Sequence, residues 1–169
     1  MLYTLIESFS PADGDKWTKY CSWRGVQFDR FDSIDGIMRP SLCREPEDGD
    51  WPHVVKENFR LHYFTDFDYA ASKRIKIGRG ELIGVELHAH DEASPDFLGY
   101  DLLDGYHEVS LLTNWGNDVQ VVNLAISKTG LISTRASVEH VQRELLSSFG
   151  DDAHVSECEI VSIYKTKTG

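Results

Sequence analysis

Between Arg79 and Lys128 the chain contains no lysine or arginine, yet it carries nine carboxylates there: Glu81, Glu86, Asp91, Glu92, Asp96, Asp101, Asp104, Glu108 and Asp118. No cation inside the segment can neutralise them. Each must face solvent or find a partner from another part of the chain. If several share a surface, they make a negative field that attracts a cationic partner and speeds its encounter. The plain alternative is a solvated acidic face that only keeps the protein in solution. The whole chain leans the same way. It has 17 Lys plus Arg against 28 Asp plus Glu, a net charge of -11 and a pI near 5.0. Nucleic-acid binding needs a basic footprint, so DNA and RNA are disfavoured as direct ligands. An anionic membrane surface is disfavoured for the same reason.

At 169 residues, 41% of them apolar and 11% aromatic, the chain has the size and composition of one domain with a packed core. No run of about 18 apolar residues exists, so nothing is expected to span a bilayer. Met1 to Glu7 lacks the basic start of a signal peptide, which points to a cytoplasmic protein. Cys21, Cys43 and Cys158 are odd in number, widely spaced and without a CxxC pair. Three reduced thiols packed as small hydrophobes is the expectation, with one bridging pair left open.

Leu2 to Phe9 reads as an opening strand. Pro11 to Gly14 is a turn. Asp15 to Trp23 reads as a short helix with Trp17, Tyr20 and Cys21 on one side. Residues 36 to 53 hold Gly36, Pro40, Pro46, Gly49 and Pro52, and form a Pro/Gly-rich acidic loop containing Glu45, Glu47, Asp48 and Asp50. Phe59 to Phe64 looks like a strand. Asp66 can cap a helix from Phe67 to Ile75. Leu82 to His88 alternates as a half-buried strand does. Leu98 to Leu103 and Val109 to Thr113 are expected to pair across Asp104-Gly105. The best-marked element is a helix from Arg135 to Phe149, with Val138, Val141, Leu145 and Phe149 at helical spacing. Ser133 or Thr134 can cap it, and Gly150 can end it in a left-handed conformation. A closing strand runs from Glu157 to Tyr164. Clustered strands with a helix inserted late predict an α+β fold: a mainly antiparallel sheet packed against a few helices, in a single domain.

The residues that carry chemistry are few. His88 and His90 would point the same way on a strand and could share an ion. Asp91 follows His90 directly and no further His comes after it, so the H-x-H-x-D-H pattern of metal hydrolases is broken. Two surface histidines are the alternative. Asp66 and Asp68 are one of many carboxylate pairs that 28 acids produce by chance. No G-x-S-x-G elbow is present, and Gly78-Arg79-Gly80 is not a phosphate loop. Cys158 lies between Glu157 and Glu159, which blunts a thiol. The tryptophans have no interleaved cations to make a base-stacking platform. Trp51, between Asp50 and Pro52, is either an exposed protein-binding anchor or a ring folded back to hold its loop.

Phe97 to Asp104 runs Gly99, Tyr100, Asp101, then Asp104 three residues on. Val109 to Asn114 follows with Ser110, Leu112, Thr113 and Asn114. Together these resemble a segment of immunity proteins from bacterial polymorphic or contact-dependent toxin systems. Leu124 to Leu131, ending Thr129-Gly130-Leu131, looks like a second segment of that family. The order of helix, His154, Cys158 and final strand looks like its ending. Here Trp115 stands where the family has Cys, and Thr129 where it has an aromatic. The likeness covers residues 97 to 165. It implies a small cytoplasmic bacterial protein that binds one cognate toxin and blocks it, with no catalysis and no cofactor. It implies that Gly99, Tyr100, Ser110, Asn114, Gly130 and Leu131 are mostly structural.

The expectation is therefore an immunity protein of a toxin–antitoxin or contact-dependent growth inhibition system, with a basic toxin, plausibly a nuclease, as partner. Two acidic patches are candidates for the contact. One is Asp91, Glu92, Asp96, Asp101, Asp104 and Glu108. The other is Glu45, Glu47, Asp48, Asp50 and Trp51. The alternatives are a small metal-dependent hydrolase using His88 and His90, and an adaptor domain with no toxin partner.

Overall fold

Val138, Val141 and Leu145 return at helical spacing, and all three are fully buried. They seat helix α5, Arg135–Phe149, on a sheet, with Thr134 as its N-cap accepting from the Ser137 N–H. The structure is a computed structural model, and it describes residues 1–55, 62–87, 91–114 and 120–167. Its strands are β1 (Leu2–Ile6), β2 (Glu81–Leu87), β3 (Phe97–Leu103) and β4 (Glu159–Lys165). They form one antiparallel sheet in the order β1-β2-β4-β3. The other helices are α1 (Asp15–Arg24), α2 (Phe67–Ile77), α3 (Leu111–Asn114), α4 (Gln120–Ala125) and α6 (Ala153–Ser156). The expected α+β class, with its antiparallel sheet and few helices, is the fold observed.

Side chains alternate across a strand, so the register assigns each residue to a face. Leu5 of β1, Leu82 of β2, Ile160 of β4 and Tyr100 and Leu102 of β3 share one face. Helix α2 packs on its β1–β2 end through Ala70. Helix α5 packs on its β3–β4 end. The opposite face carries Ile6, Ile83, Val85, Leu103, Val161 and Ile163, and is covered by loop residues Ile34, Tyr63 and Leu131. Both faces are packed over β4 from Ile160 to Tyr164, which explains why it reads as a nearly continuous apolar run rather than a clean alternation. A separate aromatic cluster joins α1 to the rest: Phe9, Trp17, Tyr20, Phe28 and Phe31. Cys21, Cys43 and Cys158 lie in three different clusters, buried and unbridged.

The resemblance segment supplies backbone geometry. Gly99 has φ of 148°, and a Cβ there would stand 2.9 Å from the Leu131 Cβ. That clearance lets the outer edge of β3 pair with Ile132: the Tyr100 N–H donates to the Ile132 carbonyl at 2.8 Å, and the Tyr100 carbonyl accepts from the Ile132 N–H at 2.9 Å. An edge that would otherwise be open is thereby covered. Gly130 has φ of 80°, with Ser33 Oγ 3.0 Å from where its Cβ would lie.

Several expectations need correction. Val109 to Thr113 is not a strand paired to β3. Leu103 and Ser110 form one isolated bridge, and the chain then coils into α3. Leu111, Leu112 and Thr113 are all buried, a run that fits neither a period of two nor one of 3.6. Gly150 is right-handed, at φ -61° and ψ -15°, so α5 does not end in a left-handed cap. Phe149 is partly exposed rather than core. The opening strand stops at Ile6. In the proposed strand Phe59–Phe64, residues 59–61 lie outside the described residues, and Phe64 makes only isolated bridges to Tyr3 and Val54. No helix among the described residues is long and apolar enough to cross a membrane.

The cap gives a small test of this architecture. Thr134→Ala is expected to lower unfolding stability by about 1 kcal/mol. Urea denaturation checks it, and an unchanged midpoint would mean the cap does not hold α5.

Candidate functional site

The first acidic patch divides in the fold. Asp101 faces Ile34 on the loop-covered side of β3 and is completely buried. Its Oδ2 accepts from the Ile34 N–H at 2.7 Å, and its Oδ1 from Ser110 Oγ at 2.5 Å and the Leu102 N–H at 2.9 Å. Burial outweighs these bonds and pushes the carboxyl up to about 7. Asp104 is buried too. Its Oδ1 accepts from the N–H groups of Glu108 and Val109 at 2.9 and 3.3 Å, and its Oδ2 from His154 Nδ1 at 3.0 Å. Glu108 is buried against Arg44. Asp101, Asp104 and Glu108 are therefore interior groups that satisfy loop backbone and a remote cation, not parts of a docking face. The physical reason is that the loop from residue 104 to 110 crosses the end of β3 with N–H groups that have no ladder partner.

Three more carboxylates of the cation-free stretch are matched by cations. Glu81 pairs with the buried Arg39 at 2.6 Å, Glu86 with the N-terminal amine at 3.8 Å, and Asp96 with Lys167 at 3.3 Å. Glu92 is exposed and accepts from Tyr100 Oη at 2.8 Å and from the first N–H of α5, on Arg135, at 3.0 Å. A carboxylate at a helix N-terminus is favoured there. Asp91 is exposed and accepts from the Ala93 N–H. Asp118 lies outside the described residues, as do His88 and His90, the pair on which a metal hydrolase would rest. Among the described residues no group of three or more His, Cys, Asp or Glu could hold a metal ion.

The second patch keeps its shape. Asp50, buried, is the correction within it: its carboxylate is an anchor, not a contact. It accepts from Lys73 Nζ at 3.0 and 2.9 Å, from Tyr69 Oη at 2.7 Å and from the Glu47 N–H at 2.8 Å. Burial alone would raise its pKa, but these bonds overcome it and hold the carboxyl below its ordinary value. Lys73 also reaches Glu47 Oε2 at 2.8 Å, and Lys76 reaches the same oxygen at 2.8 Å. His53 stacks on Tyr69 with ring centroids 3.8 Å apart. The turn from Glu47 to His53 is thus bolted to α2. Outside it stand Glu45, Glu47, Asp48 and Trp51, all exposed, with Trp51 54% exposed. The ring is not folded back.

A cleft of about 360 Å³ lies beside the Asp104–His154 pair, lined by Ile37, Asp104, Val109, Leu111, Asn114, Asp152 and His154. Those residues include no serine, threonine or cysteine. His154 was visible in the sequence only as part of the family ending, and Ile37, 68% exposed, carried no signal of its own.

Compared with known protein families, with curated proteins and with solved structures, the chain matches none.

Proposed function

We propose that this chain is an immunity-type binding protein that neutralises one cognate protein toxin, a basic one such as a nuclease, in the bacterial cytoplasm. The observation that carries this is Trp51: a large exposed ring on a turn held rigid by the buried Lys73–Asp50 pair, flanked by exposed Glu45, Glu47 and Asp48. A pre-ordered aromatic loses little freedom on binding and serves as an anchor. Glu45 and Asp48 steer a positively charged surface and speed encounter, while the Glu47 carboxylate is held by Lys73 and Lys76. The likeness over residues 97 to 165 points to the same reading, and Gly99, Tyr100, Ser110 and Gly130 within it are buried. Asp91, Glu92 and Asp96 form a smaller surface group that can add to the field. The reading needs no cofactor.

The test begins with the neighbouring gene, expected to encode a large secreted protein with a variable basic C-terminal domain. Co-expression with that domain should rescue growth, and failure to rescue overturns the assignment. Trp51→Ala should weaken binding by about 2 kcal/mol, roughly thirtyfold in Kd. Glu45→Lys with Asp48→Lys should slow association, more so at low salt. Rescue with both variants binding as the parent would retain the function and discard this loop as the contact.

A further inference from the structure

At the end of the sheet where β2 begins and β4 ends, four cations line one cleft of about 440 Å³. Its lining comprises Arg30, Arg39, Arg74 and Lys165, Asp32 and Glu81, and the apolar residues Leu82, Ile83 and Leu98. Ile83 and Lys165 are cross-strand partners, so the cleft is built on regular sheet and not on a loop tip.

The charges do not cancel. Arg30 Nε binds Asp32 Oδ2 at 2.6 Å, and Arg39 Nη2 binds Glu81 Oε2 at 2.6 Å. Arg39 is fully buried and is locked further by the carbonyls of Ser33 at 2.7 Å and Glu7 at 3.4 Å. Arg74 uses only Nε internally, donating to the Gly80 carbonyl at 3.0 Å. No carboxylate pairs with Arg74 or with Lys165 among the described residues. Two positive charges are left over in a protein whose net charge is -11. Excess cations in a concave site, on so acidic a chain, gain nothing for solubility. They do suit an anion, and arginine in particular suits planar, two-point contact with an oxyanion.

We propose that this cleft binds the phosphate dianion of a small phosphorylated molecule. A phosphate monoester carries a charge of about -1.5 to -2 at neutral pH, which the two unpaired cations balance. Arg74 directs its free Nη groups to the phosphate, and Lys165 supplies the second charge. Ile83 and Leu98 give the remainder of the ligand an apolar floor, and the volume falls in the range of about 300–1,000 Å³ typical of small-ligand sites. A monoester with an organic body therefore binds more tightly than free phosphate.

The inference is independent of any toxin and is tested on the purified protein alone. Isothermal titration at low ionic strength would use inorganic phosphate, phosphoserine and adenosine monophosphate, with chloride at equal ionic strength as the control. Saturable one-to-one binding is expected, stronger for a monoester than for inorganic phosphate. Arg74→Gln with Lys165→Gln should weaken it by roughly tenfold or more, since charge-assisted hydrogen bonds are lost. Arg74→Lys should keep part of it. Both positions are at the surface of the cleft, and circular dichroism confirms that the variants fold. Binding of inorganic phosphate equal to that of the monoesters would remove the organic ligand and leave a free-phosphate site. No saturable binding, or binding that the double variant leaves unchanged, overturns the proposal.

Discussion

Asp101→Ala is expected to destabilise the protein by about 3–5 kcal/mol, a large share of the roughly 5–15 kcal/mol that holds an ordinary domain folded. The substitution leaves the Ile34 and Leu102 N–H groups and the Ser110 hydroxyl buried with no acceptor. Each orphaned donor costs about 1–3 kcal/mol. Urea denaturation at pH 5 measures the loss, and a variant within about 1 kcal/mol of the parent would contradict the role given to Asp101. The same carboxyl predicts a pH dependence. Burial raises it from an ordinary carboxylate value to about 7 in the folded state. The folded form therefore holds a proton that the unfolded chain releases. Stability from this group is fully present below the unfolded value of about 4 and is lost as pH rises through about 7. Asp101→Asn keeps one acceptor and cannot titrate. Its stability should be lower than the parent's at pH 5 and should decline less over that window, the remaining decline coming from the buried Asp35 carboxyl, which burial also raises.

The second large effect concerns the loop. Lys73→Met is expected to cost about 3–5 kcal/mol, because it strands the buried Asp50 carboxylate without a cation. Glu47→Ala removes the exposed partner of the same lysine and should cost far less, since solvent screens that pair. Asp50→Asn combined with Lys73→Met should recover part of the loss, since the stranded charge is gone. Asp50 also has a sign of its own. Its carboxyl lies below the ordinary range when folded, so its contribution is present above the unfolded value and lost as pH falls through the folded one. If Lys73→Met proves as mild as Glu47→Ala, the pair does not hold the turn, and Trp51 loses its rigid mount.

The two predictions also show what the residue order could and could not reveal. Helix α5 was legible to its boundaries because apolar spacing, a threonine cap and length agree. Helix α1 was legible from the spacing of Trp17, Tyr20 and Cys21, although it runs one residue further than expected, to Arg24, and Asp66 was legible as the cap of α2, where the side chain accepts from the Tyr69 N–H at 2.7 Å. The carboxylates were not legible. Pattern tells which residues share a strand face, but β3 is covered on both faces, so alternation could not say that Asp101 points into packed loop. Nor does spacing show that Arg39, Arg44 and Lys167 return from distant positions to Glu81, Glu108 and Asp96. Glu81, Glu86, Asp96 and Glu108 are matched from outside the acidic stretch, whereas the Glu45 to Trp51 turn keeps exposed acid beside an exposed ring. The cationic cleft was invisible for the same reason: Arg30, Arg39, Arg74 and Lys165 come from four separate places in the chain.

The strand order β1-β2-β4-β3 also bears on how the molecule is made. Strand β4 is an inner one, flanked by β2 and β3, although it follows both of them in the chain. During synthesis β1 and β2 can zip together, whereas β3 gains a strand beside it only once residues 159–165 have emerged. Completing the sheet thus waits on a pairing between segments far apart in sequence.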